Sequence, residues 1–168
     1  GVDYQATVPA QAAGKVVQFY IEGHDVLGAK STFPARDTES RALYEVNDGQ
    51  GPNTPIDSIR IILTAADNDF LFTDTNLMSN DFLGGTVIYN NSEAFYDIGV
   101  RLAGSSAGRS IAGRDNSDKI LFHPDHLFRG VQESITLDGS GLGPLNNDSP
   151  EEILIQHIVN RAGGTASL

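Results

Sequence analysis

Residues 96–130 read YDIGVRLAGSSAGRSIAGRDNSDKILFHPDHLFRG. Taken with the residues just before it, the first part alternates as a strand does. Phe95, Asp97, Gly99 and Arg101 fall on one face, and Tyr96, Ile98, Val100 and Leu102 on the other. A Gly/Ser-rich loop with arginines runs from Gly104 to Arg114, and a second strand follows at 118–122, DKILF, carrying Lys119. Such a pair is either an ordinary long hairpin or a strand–loop–strand unit built around an anion. Phosphate cradling needs backbone N–H groups that converge, and glycine permits the close approach. Gly104, Ser105, Ser106, Gly108 and Arg109 are the candidates, with Lys119 on the next strand. The spacing of a strict phosphate loop is absent, so a plain hairpin loop stays open as a reading.

Working outward, the flanks extend the same pattern. EAFYDIGVRLAG (93–104), GGTVIYN (84–90), IDSIRIILT (56–64) and ESITLD (133–138) read as further strands. Thr64 or Asp67 is placed to cap a short helix over NDFLFTDTNLM. The clearest helix is SPEEILIQHIVNRAGG, with Ser149 as N-cap, Pro150 in the first turn and Glu152 completing a capping box. Its stripe of Leu154, Ile155, Ile158, Val159 and Ala162 is expected to dock on the sheet, making a two-layer α+β, β-rich unit.

Before this unit lie DYQATV (3–8), KVVQFYIE (15–22), the turn HDVLGAKS and RALYEV (41–46). They are expected to form three antiparallel strands, too few to close a sandwich. In the second, Val17, Phe19 and Ile21 share one face and Val16 and Tyr20 the other. NDGQGPNTP (47–55) is the expected connector between the two parts.

Composition narrows the partners. Asp and Glu number 22 against 11 Lys and Arg, a net charge of -11 over 168 residues. That balance disfavours nucleic acid and anionic membrane surfaces. No apolar run approaches the roughly 20 residues of a membrane span. With no cysteine, disulfides, thiolate catalysis and cysteine-bound metals are excluded. Abundant aspartate suits a secreted protein meeting divalent cations. DNDFLFTDTN and DGSGLGPLNND offer oxygen ligands for calcium, although neither has the EF-hand pattern. HPDH (123–126) holds two imidazoles and a carboxylate, with a turn capped by Asp125 as the plainer reading. Asn90 and Asn147 stand in glycosylation sequons. Gly1 is not an initiator methionine, which points to a processed or cut N-terminus.

FYDIGVRLAGSSAGR, FHPDHLFRGV and EEILIQHIVNRAGG together resemble the CotH kinase family, the spore-coat-protein-H-like atypical kinases, and most closely its large bacterial surface-protein members. YQATVPAQAAGKVVQFYIEGHDVLGAKSTFP resembles the last strands of the immunoglobulin- or fibronectin-like domain that commonly precedes the kinase-like one. The resemblance implies sandwich strands over 1–48, a linker over 49–56 and a kinase-like N-terminal lobe over 57–168. It implies that the Gly104 loop faces a nucleotide, that Lys119 holds its phosphates, and that Glu152 or Glu151 pairs with that lysine. Where the family commonly has a basic residue, this chain has Ala103. The family's catalytic and metal-binding aspartates fall beyond Leu168, so no catalytic residue is assigned, and ATP with magnesium belongs to the intact parent.

The expectation is therefore a fragment or subunit of an extracellular or cell-surface protein, structural in this form. Strand complementation by other chains, or by the rest of the same polypeptide, would cover its open edges and build a homopolymer. The alternatives are the nucleotide-binding lobe of an active ATP-dependent kinase and a calcium-dependent secreted binding module.

Overall fold

The structure is a computed structural model and describes residues 3–46, 57–105, 109, 116–139, 154–155, 157–159 and 161–163. The chain is α+β and β-rich. In chain order the strands are β1 (Val16–Phe19), β2 (Ile21–His24), β3 (Lys30–Phe33) and β4 (Ala42–Glu45), then β5 (Ile59–Ile62), β6 (Leu83–Tyr89), β7 (Glu93–Ala103), β8 (Ser117–Leu121) and β9 (Ser134–Leu137). One short helix, α1 (Ala65–Leu71), lies between β5 and β6, and the Thr64 side chain caps it by accepting from the Asp67 N–H.

The last five strands form an antiparallel sheet in sequential order, β5-β6-β7-β8-β9. The first four form two separate pairs, β1 with β4 and β2 with β3. This corrects two expectations. Residues 3–8 form no strand and are exposed, because alternation without a neighbour to pair with has no ladder to join. The stretch 15–22 is not one strand either: it divides at Tyr20, with β1 hydrogen-bonded to β4 and β2 to β3. Periodicity marks a strand but does not name its partner.

The central pair, β6 and β7, carries the feature that organises the molecule. Gly85 pairs with Ile98 and Val87 with Phe95, so Thr86 faces two residues, Tyr96 and Asp97. This β-bulge, with Asp97 at φ 53°, shifts the alternation by one residue. Phe95 therefore lies in the same core as Ile98, Val100 and Leu102, not on the face with Gly99 and Arg101 as simple alternation has it. The core continues through Val87, Ile120, Phe122 and Phe128 and is closed by Leu71 of α1, with Phe72 and Leu77 packed beside it.

Both bulge residues serve the opposite face. Tyr96 sits edge-on to Phe19 of β1 and Phe33 of β3, at centroid distances of 5.7 and 6.1 Å. The Asp97 carboxylate accepts from the Arg41 N–H. Next to it, Thr86 Oγ1 donates to the Arg41 carbonyl and accepts from the Leu43 N–H at 2.8 Å. Ala42 and Leu43 are fully buried there. Gly84 lets this segment lie close, since a Cβ at that position would come within 2.7 Å of the Arg41 side chain. The N-terminal strands are thus pinned across the sheet.

The expected C-terminal helix is present where described, at 154–155, 157–159 and 161. Its apolar residues do not pack on the sheet: Leu154, Ile155 and Ile158 are each more than half exposed. The sheet face expected for them is filled by α1, the turn after it, and Phe128. The connector 47–56 lies outside the described residues.

Candidate functional site

The residues picked from the Gly/Ser loop fall into three groups. Ser106, Gly108 and Glu152, with its alternative Glu151, lie outside the described residues. Gly104 and Ser105 follow β7 and are exposed. Arg109 is only 8% exposed, and its guanidinium is used inside the protein. Nε donates to the Gly104 carbonyl at 3.0 Å, and one terminal nitrogen donates to the carbonyls of Leu77 and Ser79, both at 3.1 Å. These bonds staple the loop to the turn after α1.

Lys119 stands on β8 directly across from Arg101 on β7, with Thr136 of β9 on its other side. Two cations in direct cross-strand register repel each other, which makes an unusual pair in so acidic a chain. Arg101 is steadied by the Phe82 ring, 5.5 Å below its guanidinium, and by a 2.9 Å bond to the Leu102 carbonyl. Phe82 fits there because Gly99 has no Cβ to strike it. Asp118, beside Lys119 in sequence, points to the core face with Ile120. Burial there pushes its carboxyl above the usual carboxylate range.

HPDH forms a turn, with the His126 N–H donating to the His123 carbonyl at 2.9 Å. The side chain that receives the Asp125 N–H is the His123 imidazole, at 3.3 Å. The Asp125 carboxylate, expected as the cap, is instead 92% exposed. His126 stacks on Phe95 with centroids 4.4 Å apart. Both imidazoles border a cleft of about 280 Å³ shared with Phe33, Pro34, Tyr96 and Asp97. Among the described residues, no group of three or more His, Asp and Glu side chains is arranged to hold a metal. The sequence DNDFLFTDTN is spent on α1 and its turn, and most of DGSGLGPLNND lies outside the described residues.

The sequon residue Asn90 is a clamp: its Oδ1 accepts from the Ser58 N–H at 2.7 Å and its Nδ2 donates to Asp57 at 2.8 Å. Hydrogen bonds from Asn90 and then Tyr89, with the charge of Arg129, hold the Asp57 carboxyl below its usual range. Asn147 lies outside the described residues.

The most exposed apolar group was not singled out by sequence reasoning. β2 and β3 form a two-stranded arm whose turn presents Val26 and Leu27, 100% and 90% exposed. The turn is held in one shape. Asp25 Oδ1 accepts from the N–H groups of Leu27 and Ala29, both at 2.8 Å, and the Asp25 N–H donates to the Ala29 carbonyl at 3.0 Å. At its base, Lys30 bridges Asp37 at 2.6 Å and Glu22 at 2.8 Å. Those two bonds, Asp37's first, raise the Lys30 pKa, while Lys30 and then His24 lower that of Glu22. A signal was present in the sequence: D-V-L-G puts two bulky apolar residues where a turn normally carries polar ones.

Among the described residues, no helix is long and apolar enough to cross a membrane. The chain has no match among protein-family models, curated proteins or solved structures.

Proposed function

We propose that this chain is a structural, assembly-directing module of an extracellular bacterial CotH-like protein and is not catalytic in this form. The β2–β3 arm carries the reading. A hairpin of two strands is marginal alone in water, and this one ends in two bare apolar side chains on a locked turn. Such a knob lowers its free energy by burial against another protein surface. The loop arginine, meanwhile, is spent on backbone carbonyls. Size-exclusion chromatography with light scattering tests the proposal: the mass rises with concentration. A constant monomer mass over a wide concentration range overturns it.

A second reading, nucleotide binding by an intact kinase-like parent, is favoured by one observation. Arg101 and Lys119 stand in register on adjacent strands, and a phosphate between them would relieve their repulsion. In this reading the full-length parent binds Mg-ATP and Lys119→Met weakens that binding at least tenfold. Equal affinity of the two proteins removes the reading.

A further inference from the structure

We infer that the cleft between the base of the β2–β3 arm and the HPDH turn binds a small organic cation of the alkylammonium class. The inference stands apart from the assembly reading above. The cleft has a volume of about 280 Å³ and draws its lining from three parts of the chain: Phe33 at the end of β3, Tyr96 and Asp97 at the β7 bulge, and His123, Asp125 and His126 of the turn. That volume is at the low end of small-molecule sites.

Three observations select the ligand. The first is the rings. The planes of Phe33 and Tyr96 stand at 80° with centroids 6.1 Å apart, so together they make a corner, and Phe33 is 57% exposed, which leaves ring surface open. The His126 imidazole, held by its stack on Phe95, is a third ring on the lining. A cation near such ring faces is attracted by their quadrupoles. The second is charge. Two carboxylates line the cleft, Asp97 and Asp125, and among the described residues no lysine or arginine does. Lys30, two residues before Thr32 on β3, is engaged by Asp37 and Glu22. An anion is therefore repelled and a cation drawn in. The third is how the polar groups are already used. The Asp97 carboxylate accepts from the Arg41 N–H, and His123 Nδ1 accepts from the Asp125 N–H. Among the described residues no set of three His, Asp and Glu side chains converges on a metal ion. An alkylated ammonium needs no converging ligands: ring faces and a nearby carboxylate suffice.

The test titrates choline into the chain and follows the ring resonances of Phe33 and Tyr96 by NMR. Two comparison ligands are its uncharged isostere, with carbon in place of nitrogen, and guanidinium. Choline is expected to shift both rings and to bind about tenfold more tightly than the isostere. Phe33→Leu keeps apolar bulk and removes the ring face, and Asp125→Asn removes the charge; each is expected to weaken choline about threefold or more. Both altered side chains are exposed, so folding is retained. Equal affinity for choline and the isostere reduces the cleft to an apolar hollow and overturns the inference. So does choline binding that both variants leave unchanged, which places the cation elsewhere on an acidic surface, and so does the absence of any shift. Guanidinium binding more tightly than choline overturns the alkylammonium class.

Discussion

Asp97 is the residue on which most depends. It holds a left-handed backbone conformation in the bulge, and its carboxylate receives the Arg41 N–H. Asp97→Asn keeps a side chain that tolerates this conformation and still accepts, so urea denaturation shows little change. Asp97→Ala leaves a half-buried N–H without its acceptor and costs about 1–3 kcal/mol. Asp118 behaves in the opposite sense. Its folded pKa is raised by burial, so the folded state prefers the proton. The penalty is fully present above the raised folded pKa and is relieved as the pH falls through it. Asp118→Asn therefore raises the melting temperature at pH 7, and the gain shrinks in acid until the two proteins melt together. A gain that is flat with pH rejects this origin. Among the residues picked from sequence, Gly104 and Lys119 stand where the strand–loop–strand pattern puts them, after β7 and on β8. That Arg109 would turn inward was not legible, because its acceptors are carbonyls 30 and 32 residues earlier or in its own loop.

The β2–β3 arm shows how an element is held by a few anchors. Its aromatic anchor is Phe33 against Tyr96, and Tyr96 also meets Phe19. Edge-to-face aromatic pairs contribute about 0.5–1.5 kcal/mol each beyond their burial. Tyr96→Ala is expected to speed hydrogen exchange of the amides in β2 and β3 while the β6–β8 ladder keeps its protection. Uniform loss of protection would mean that the arm and the sheet unfold as one unit. The strands from β5 to β9 were readable because each carries β-branched or aromatic residues in a short segment bounded by turn residues. The face of Phe95 was misread for one reason: a bulge adds a residue without leaving a mark in the hydrophobic pattern. The C-terminal stripe shows the reverse case, since its periodicity is helical and its residues are helical, yet amphipathicity alone does not supply a docking surface.

The molecule as a whole combines a well-filled sheet core with apolar groups left in solvent. Leu43 is fully buried between the two parts, so Leu43→Ala is expected to cost about 2–5 kcal/mol and to loosen the N-terminal pairs from the sheet. Association of copies is expected to strengthen as ionic strength rises from low to physiological. Salt screens the repulsion between chains of net charge -11 over roughly 8–10 Å, while burial of an apolar knob is little affected. Sedimentation velocity at several salt concentrations checks this; weakening with salt would assign the contact to charge instead.

Local chemistry was enough to establish the β-rich class, the five successive strands, a short helix between the first two of them and a net charge of -11; the choice of Thr64 over Asp67 as its cap, and the span Ala65–Leu71 in place of NDFLFTDTNLM, came from the structure. Strand runs, candidate caps and charge are all properties of neighbouring residues, so they survive in a linear reading. Long-range packing settled the rest: which strand each N-terminal segment pairs with, where Phe95 points, what Arg109 touches, and that Val26 and Leu27 stay bare. Those outcomes depend on groups far apart in the chain meeting in space, and no local pattern carries that information.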